Sequence, residues 1–386
     1  METIAIGDAC DILNGYAFKS EKYVSTGIRI IRIANVQKGY IEDNSPVFYP
    51  SNSIGLDKYM LRENDLLLSL TGNVGRTALL RKEMLPAALN QRVACLRLKT
   101  NLLTDRYLFH LLNSDYFESK CIQSSKGVAQ KNLSTEWLKS YRIPLYSISK
   151  QEEITKVLDQ VRKIIDSHKE QLQKYDELIK SRFVEMFGDY PSNPMGWKIV
   201  TIRDVITEAR YGSSRPAVEG GKYPYLRMNN ITYSGELDLS DTKRIDIPDN
   251  ELEKCTVRRG DVLFNRTNSK ELVGKTCVYD RDEMMVLAGF VIRVRVKDCI
   301  LPEFLSAFLN TDSSKQMLLG MCKTAIGQAN INAQELQNIE LYLPPIELQQ
   351  EFLKFKKQIA KSKSAVQAAL DKTQLLFDSL MQEYFG

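Results

Sequence analysis

The chain carries one pattern of short segments twice, and this internal repeat restricts its fold more than any other feature of the sequence. Residues 127–134 read GVAQKNLS and residues 325–332 read AIGQANIN, so that Gln130 aligns with Gln328 and Asn132 with Asn330. The same offset of 198 residues aligns QEEI at Gln151 with a later QQEF, and FVEMFG with the terminal MQEYFG. Self-similarity at a fixed period indicates one structural unit used twice.

Further segments keep the same order in both copies, with small differences in length between them. LRENDLLLSLTGNVGRT, residues 61–77, aligns with VRRGDVLFNRTNSKELVGKT, residues 257–276, so that Asp65 matches Asp261 and Arg76 matches Lys275. IRIAN in the first copy matches LRMNN in the second, and LLNSD matches FLNTD. We therefore expect two tandem pseudo-repeats of like fold.

The first part of each module alternates short β-branched and aromatic runs with turn residues, as strands joined by loops do. Copy one has IRIIRIANV, DLLLSL and RVACLRL, and copy two has YPYLRM, DVLFNR and GFVIRVRV. Within the same parts, DRYLFHLLNSDYFESKC and PEFLSAFLNTDSSKQML are predicted to be helical. The predicted fold class is α+β, with a globular mixed α/β domain at the start of each module.

A long helix is predicted after each globular part. Residues 149–187 contain no Gly or Pro, and apolar residues recur there at alternating steps of 4 and 3, which is the heptad pattern of a coiled coil. The corresponding seam in the second copy is more polar in its first half. The residues predicted to form the helical core are Ile154, Leu158, Val161, Ile165, Leu172, Ile179, Ile359, Val366, Leu370, Phe377 and Leu380.

These patterns give a domain plan. We expect globular domains over residues 1–148 and 191–344, and helical spacers over residues 149–190 and 345–386. An antiparallel coiled coil between the spacers would relate the modules by an approximate twofold axis and place their globular domains at opposite ends. A 39-residue helix is about 58 Å long, which spans about 17 base pairs of B-DNA as an upper bound.

Composition excludes several classes of protein. The 386 residues are 43% hydrophobic and 26% charged, which is typical of a globular protein of two or three domains. No apolar run approaches the roughly 20 residues of a membrane-spanning helix, and the start lacks a signal-peptide pattern, so we expect a cytoplasmic protein without membrane contact. Seven cysteines without a C-x-x-C pair predict reduced thiols and no metal site. Two histidines argue against histidine-based catalysis.

The distribution of charge is more informative than the net charge of +5. Residues 1–148 contain 19 basic and 14 acidic residues, whereas residues 191–344 contain 20 of each. Within the second copy, residues 258–297 hold nine basic and five acidic side chains, a local surplus that could follow a DNA backbone.

The loops that contain Arg76 and Lys275 have two interpretations. The sequence around Lys275 and Thr276 resembles a phosphate-binding P-loop, but the motif requires a glycine where Ser269 stands, so nucleotide binding is excluded. One interpretation is a glycine-containing loop between two strands. The other is a basic loop that contacts a phosphate or a base edge, since basic residues recur at the matching position.

Charged strands and amide side chains supply the remaining candidates for DNA contact. Alternating charges on a strand are explained most simply as the solvated face of a sheet, while Asn, Gln and Arg are the side chains that pair bidentately with adenine and guanine in the major groove. Turn positions would explain the amides equally well. The candidate DNA-binding residues are Arg32, Arg76, Asn90, Gln91, Arg92, Arg227, Asn229, Arg266, Lys270, Lys275, Arg293 and Arg295.

Catalytic sites find little support in the sequence. DNELEK, residues 249–254, carries nuclease-like carboxylates, but we expect a polar loop there, and copy one has no equivalent. No G-x-G turn follows a strand as a methyltransferase would require. His168 falls on a heptad core position, where a packed or register-setting role is more common than ligand binding. We therefore expect neither a catalytic residue nor a metal ligand in this chain.

The ordered anchors, present twice, resemble one family. The duplicated modules, DLLLSLTGNVGRT and GDVLFNRT, the run from GQANIN to LPPIELQQEF, and the two terminal helices are together similar to the specificity subunit of type I restriction-modification enzymes. The resemblance covers the whole chain. In the first copy, IPLYSISKQEEI stands where the second has LPPIELQQEF, so the first helix is expected to enter its domain at a different angle.

The resemblance implies a function and partners. Each globular domain would be a target recognition domain for one half of a bipartite double-stranded DNA site, and the helices would set the gap between the halves. The partners implied are two modification subunits that bind S-adenosylmethionine and methylate adenine, and restriction subunits that use ATP and Mg²⁺. No cofactor is expected on this chain. The alternative left open is a structural or interaction adaptor whose duplicated domains bind proteins rather than DNA.

Overall fold

The computed structural model of the chain describes residues 2–125, 131–269, 272–325 and 328–386, without the side chains of residues 323–325 and 328–329. The described chain divides into two compact units. Unit 1 contains residues 1–169 and 368–386, and unit 2 contains residues 170–367.

Unit 1 is built on two main sheets. Its strands are β1 (Thr3–Ala5), β2 (Cys10–Asn14), β3 (Ile28–Ile31), β4 (Phe48–Tyr49), β5 (Leu66–Ser69), β6 (Thr77–Leu79), β7 (Ala87–Leu89), β8 (Val93–Leu98) and β9 (Arg142–Pro144). One sheet has the order β2-β8-β5-β6 and is antiparallel, whereas the sheet β4-β3-β7 contains a parallel pair, β3 with β7. Strands β1 and β9 form a separate antiparallel pair.

Unit 2 repeats this plan. Its strands are β10 (Lys198–Thr201), β11 (Ile206–Tyr211), β12 (Tyr223–Leu226), β13 (Lys243–Ile245), β14 (Thr256–Val257), β15 (Val262–Asn265), β16 (Thr267–Asn268), β17 (Thr276–Val278), β18 (Met285–Leu287), β19 (Val291–Val296), β20 (Lys323–Ala325), β21 (Gln328–Asn330) and β22 (Glu340–Leu343). The sheet β11-β19-β15-β17 corresponds to β2-β8-β5-β6, and β13-β12-β18 corresponds to β4-β3-β7, again with one parallel pair. The sequence prediction of a duplicated α+β module is confirmed.

The helices also repeat in order. They are α1 (Ile6–Ala9), α2 (Asp105–Leu112), α3 (Asp115–Ser124), α4 (Thr135–Ser140), α5 (Ile148–Phe187), α6 (Ile202–Val205), α7 (Asp249–Cys255), α8 (Pro302–Leu309), α9 (Asp312–Met321), α10 (Ala333–Gln337) and α11 (Ile346–Phe385). The two 40-residue helices α5 and α11 lie within a few residues of the predicted spacer boundaries. Each compact unit takes in part of both helices, so the division into domains and spacers stays a prediction.

The central strand of each main sheet is apolar on both faces because clusters cover it on both sides. In unit 1, Leu66 and Leu68 join the core that contains α2, while Leu67 between them joins the core that contains β3 and β7. In unit 2, Val262 and Phe264 face one core and Leu263 the other. Side chains alternate along a strand, so a strand buried on both faces reads as a continuous apolar run. This packing explains DLLLSL and DVLFNR.

Within unit 1 the first part of α5 packs against the last part of α11. Ile154, Leu158 and Ile165 share a buried cluster with Phe377 and Phe385. The Arg162 guanidinium lies 5.2 Å from the centroid of the Phe377 ring. The predicted heptad face of α5 therefore is the buried face in this unit.

Within unit 2 the last part of α5 runs antiparallel to the first part of α11. The ring centroids of Phe183 and Phe352 lie 5.3 Å apart. Asp176, seven residues before Phe183, pairs with Lys363, eleven residues after Phe352, at 2.7 Å. Residue numbers therefore fall along one helix as they rise along the other. Whether one coiled coil extends through both helices stays a prediction. Of the predicted core positions, Leu172, Ile179, Ile359, Val366, Leu370 and Leu380 are partly buried, and the other five are buried.

The two long segments predicted to be helical are confirmed as helical. Each contains two helices, because Ser114 and Thr311 act as N-caps of a second helix: their hydroxyls accept from the N–H groups of Phe117 and Ser314. One prediction of local structure is wrong. DNELEK forms helix α7 rather than a polar loop, with acidic residues in its first turn and Lys254 in its last, which suits the helix dipole. Among the described residues, no helix is long and apolar enough to span a membrane.

Candidate DNA interface

Equivalent loops meet at one edge of the sheets in each unit, and we call this surface the loop edge. In unit 1 it comprises residues 14–16, 32–35, 70–76 and 90–92, and in unit 2 residues 211–213, 227–230, 266–269 and 288–290. Its location follows from topology, because the parallel strands β3 and β7, like β12 and β18, end side by side. Ends of adjacent parallel strands are a frequent position for binding residues.

The backbone of the loop edge is duplicated bond for bond. In unit 1, Tyr16 N–H donates to the Leu89 carbonyl at 2.8 Å and Leu70 N–H to the Arg92 carbonyl at 3.0 Å. In unit 2, Ser213 N–H donates to Leu287 at 2.6 Å and Arg266 N–H to Phe290 at 3.0 Å. Corresponding carbonyls of residues 70 and 266 accept from Leu133 and Ile331. The two edges therefore share one backbone arrangement.

A glycine is required where β2 and β11 reach this edge. A Cβ atom on Gly15 would lie 2.1 Å from the Asn90 carbonyl oxygen, and one on Gly212 would lie 2.1 Å from the Leu287 carbonyl oxygen. Contacts this short are forbidden, so only glycine permits the backbone of the strand end to approach. The same steric requirement in both units fixes the position of the residue before each glycine, Asn14 or Tyr211.

The repeated IRIAN and LRMNN segments form matching turns. The Asn35 side chain accepts from Arg32 N–H at 2.9 Å and donates to the Glu42 carbonyl at 2.8 Å. Asn230 makes the equivalent bonds with Arg227 N–H and the Asp238 carbonyl, both at 2.8 Å. Both asparagines are buried, so they hold the turn rather than offer an amide to a ligand.

Arg32 and Arg227 sit at these turns with similar surroundings. Each donates through Nη2, to the Ser45 carbonyl at 3.0 Å or to the Asp241 carboxylate at 2.9 Å, and each has a buried Nε with no partner. Both are half-buried. They can therefore present one side of the guanidinium at the surface while the other side is held.

Three of the candidate residues are exposed at turns of the loop edge. Gln91 and Arg92 form the turn between β7 and β8, and Asn229 lies in the turn after β12. Asn90 is half-buried beside Tyr16, and Arg76 is half-buried and donates to the Gln37 side chain. The interpretation of the Arg76 segment as a glycine-containing loop agrees with the positive φ of Gly72 and Gly75, +71° and +86°. Lys270 lies outside the described residues.

Lys275 does not fit the prediction that it contacts DNA. It is 7% exposed, its Nζ donates to the Met228 carbonyl at 3.0 Å, and burial lowers the pKa of its ammonium group. The side chain thus supports the turn after β12 from below. The match of Lys275 with Arg76 reflects a shared position, but Lys275 is buried on the Met228 carbonyl, whereas Arg76 is half-buried and donates to Gln37.

Arg293 and Arg295 are structural as well. Arg293 is 2% exposed and pairs with Glu208 at 2.7 Å and with the Thr256 carbonyl. Arg295 pairs with Asp261 at 2.8 Å and with Glu208 at 2.7 Å. The expectation of a solvated charged face is therefore wrong for Arg293 and Arg295, because the carboxylates of Glu208 and Asp261 hold their guanidinium groups against the sheet.

The aspartate of this arrangement recurs in unit 1. Asp65 accepts from Arg97 at 2.6 Å and from the Arg62 N–H at 2.7 Å, just as Asp261 accepts from Arg295 and from the Arg258 N–H at 2.8 Å. The Asp65 hydrogen bond raises the pKa of Arg97. The aspartate that recurs in the sequence thus connects the turn before its strand to an arginine of the adjacent strand in both units.

Aromatic side chains at the loop edge were missed by the sequence analysis. Tyr211 is 43% exposed and Phe290 is 54% exposed, and the Arg266 guanidinium lies 4.8 Å from the centroid of the Tyr211 ring. In unit 1, Tyr16 is 37% exposed and packs against Phe18 at 5.0 Å. The available signal was the aromatic residue directly before or after the strand-end glycine in each copy.

The histidines and cysteines of the chain lie outside the residue ranges of the loop edge. Among the residues that the structure describes, no three His, Cys, Asp or Glu side chains are placed to hold a metal ion. His110 is buried and bonded to Asp159 at 2.7 Å, and burial lowers its pKa despite that carboxylate. The seven cysteines are free, and five of them are buried.

Comparison with known proteins gives one consistent result. The family model for the "Type I restriction modification DNA specificity domain" matches residues 1–175 and again residues 194–372. The chain is 23% identical to the EcoKI specificity subunit of Escherichia coli K12 over 90% of this chain and 79% of that protein. It is 21% identical to the StySPI specificity subunit of Salmonella potsdam over 98% and 86% of the two chains.

Solved structures show the same fold. A chain in a structure described as concerning complex assembly and conformational transition of the type I R-M system aligns with a TM-score of 0.58 at 18% identity, covering 100% of this chain and 97% of that one. The S subunit of a type I restriction-modification system from M. genitalium aligns with a TM-score of 0.52 at 14% identity, covering 100% and 96%.

Proposed function

Because the chain belongs to the type I restriction-modification DNA specificity family, we propose that it reads a bipartite DNA sequence, with one half-site bound by each module. The observation that carries this proposal is the loop edge, where the two units share backbone hydrogen bonds and differ in side chains. Side chains distinguish base edges, while a constant backbone keeps their positions. A shared backbone with different side chains therefore suits two readers of different sequences.

The residues proposed to meet DNA are those that the loop edge leaves accessible. Gln91, Arg92 and Asn229 are exposed, and Arg32, Arg76, Asn90, Arg227 and Arg266 are half-buried at the same surface. Lys275 and Arg293 are left out because they are buried, and Arg295 because the carboxylates of Asp261 and Glu208 both hold its guanidinium. Phosphate contacts from the basic members would supply sequence-independent affinity, and the amides would supply part of the specificity.

The chain is proposed to act without chemistry of its own. It would direct two modification subunits, which bind S-adenosylmethionine and methylate adenine, and restriction subunits, which use ATP and Mg²⁺ to act on unmodified DNA. The long helices α5 and α11 would set the number of unread base pairs between the half-sites. This assignment places all cofactors on the partners.

Methylation mapping tests the proposal. Cells that carry the complete system should show N6-methyladenine at one two-part motif, and deletion of this chain should abolish methylation at that motif. Deleting one heptad from each long helix should alter the gap but keep both halves. Methylation that persists unchanged without the chain would contradict the proposal.

Salt dependence separates DNA reading from a protein adaptor role. DNA binding by the complex should weaken as salt rises, because phosphate contacts release counterions. Replacing Arg92 by Ala should reduce the steepness of that dependence. An adaptor with no DNA role would give the same weak retention on DNA with and without this chain.

A further inference from the structure

The two loop edges carry different side chains at three positions that are equivalent in backbone hydrogen bonding. Unit 1 carries Asn14, Leu70 and Arg92 where unit 2 carries Tyr211, Arg266 and Phe290. The equivalence rests on the strand-end glycines, which follow Asn14 and Tyr211, and on the N–H to carbonyl bonds from 70 to 92 and from 266 to 290, both 3.0 Å. The two units thus carry different side chains on an equivalent backbone.

Arg266 is held in place with no ion-pair partner among the described residues. Its backbone N–H and carbonyl are both bonded, to Phe290 and Ile331, and its guanidinium stacks on Tyr211 at 4.8 Å. Its Nε is buried without a hydrogen-bond partner among the described residues. In the same unit, Arg227, Arg293 and Arg295 are all paired with carboxylates.

Tyr211 is itself fixed. Its hydroxyl accepts from the Ala333 N–H at 2.8 Å, at the start of α10. Because the Tyr211 ring is anchored at its hydroxyl, it restricts the rotamers of the arginine that stacks on it. Stacking on the face of the ring leaves the Nη atoms of the guanidinium free to donate. The arrangement lowers the entropy lost when the fork binds a planar acceptor.

We propose that Arg266, positioned by Tyr211, reads a guanine in the half-site bound by the second module. Guanine presents N7 and O6 side by side in the major groove, and the two Nη atoms of arginine match that pair bidentately. Leu70 at the equivalent position of the first module has no donor, so the first half-site is read without this contact. The inference rests on the proposed DNA-reading function.

The decisive test compares variants of the complete complex by methylation mapping. Arg266→Leu, which installs the side chain of unit 1, should relax the motif at one guanine of one half. Discrimination at that position should fall roughly 5- to 150-fold, the range for one bidentate base contact. Arg266→Lys should relax the same position, because lysine has no fork. The other half-site should stay unchanged, and thereby reports that the complex is folded and active.

Matched variants separate reading from other roles. Arg281→Ala removes an exposed arginine that pairs with Asp280, and should leave both halves intact. Tyr211→Ala should weaken discrimination at the same guanine less than Arg266→Leu, while Tyr211→Phe should keep most of it. Replacing that guanine by 7-deazaguanine should weaken binding by the unaltered complex and leave Arg266→Leu unaffected, because the N7 acceptor is lost only to a protein that uses it.

Two outcomes would overturn the inference. One is that Arg266→Leu leaves the motif unchanged. The other is that it lowers methylation equally at every sequence together with the salt dependence, which is the behaviour of a phosphate contact. Either result leaves the DNA-reading function standing, since the bipartite motif would persist. Loss of the function itself would show as the absence of any motif with the unaltered chain.

Discussion

The heptad positions that hold Leu158 and Ile165 in unit 1 hold Lys356 and Lys363 in unit 2. In unit 1 these side chains are fully buried among apolar neighbours. In unit 2, Lys363 pairs with Asp176 and with Glu236 at 2.6 Å, and Lys356 lines a cavity of about 480 Å³. In unit 1, apolar side chains therefore fill the contact between the two helices. In unit 2, ion pairs beside a cavity form the corresponding contact.

The difference shows that a heptad pattern specifies a helix face but not how that face is buried. One carboxylate at the unit 2 seam, that of Glu236, comes from a turn outside the two helices. Burial lowers the pKa of the neighbouring Lys356. A buried ion pair contributes less to stability than close apolar packing of the same volume. We therefore expect the seam of unit 2 to be the weaker of the two.

The largest expected effect is in the apolar seam. Leu158→Lys, which gives unit 1 the residue of unit 2, should lower the free energy of unfolding by about 3–5 kcal/mol, because it removes a packed side chain and buries an ammonium group without a carboxylate. Chemical denaturation of the full chain measures it. Ile164→Lys, at an exposed position of the same helix, is the control and should change little. A similar small loss for both would mean that the seam is not packed as described.

A second large effect concerns the charged cluster that only unit 2 has. Glu208 is the carboxylate partner of Arg293, whose counterpart in unit 1 is the buried Cys95. Glu208→Ala should cost about 3 kcal/mol, because it removes the carboxylate that pairs with a buried guanidinium. The double variant Glu208→Ala with Arg293→Met should recover part of that loss. If the double variant is less stable than the single one, the uncompensated charge is not the cause.

The reciprocal exchange in unit 2 should act in the opposite direction. Lys356→Leu is expected to raise the free energy of unfolding by about 1 kcal/mol, since a desolvated ammonium group gives way to a side chain that fills part of the cavity. Thermal unfolding of the full chain would detect the change. Lys357→Leu, at the neighbouring exposed position, is the matched control. A marked destabilisation by Lys356→Leu would show that the cavity requires the positive charge.

A pH dependence is expected from Lys315 of unit 2. Burial, reinforced by Lys180 and Lys275, lowers the pKa of Lys315 from 10.5 to about 7, whereas the equivalent Glu118 of unit 1 pairs with Lys38. Between pH 7 and 10.5 the unfolded chain binds the proton that the folded chain has lost. The free energy of unfolding should therefore rise with pH across this window, by at most about 1.4 kcal/mol per pH unit. Lys315→Met should flatten that rise, measured as unfolding midpoints at pH 7.5 and 9.5. Exposed Lys361→Met should leave the slope unaltered.

The sequence alone determined the features that depend on repetition and periodicity. Two α+β modules, two long helices within a few residues of their ends, the buried faces of those helices and the central strands follow from anchor order, heptad spacing and apolar runs, which are local properties of the chain. The glycine-containing loop at Arg76 was predicted for the same reason, whereas a turn at Asn90 was one of two interpretations left open. Family membership followed from the order of the anchors.

Only the tertiary structure decided which basic side chains reach the surface. Lys275, Arg293 and Arg295 looked like Arg76 or Arg266 in sequence, but partners distant in the chain, Met228, Glu208 and Asp261, bring them into the interior. The stacking of Arg266 on Tyr211 likewise depends on the sheet, because Tyr211 lies in β11, Arg266 directly follows β15, and β19 lies between these two strands. The pairing of a charge depends on contacts between segments far apart in sequence, and no local pattern encodes those contacts.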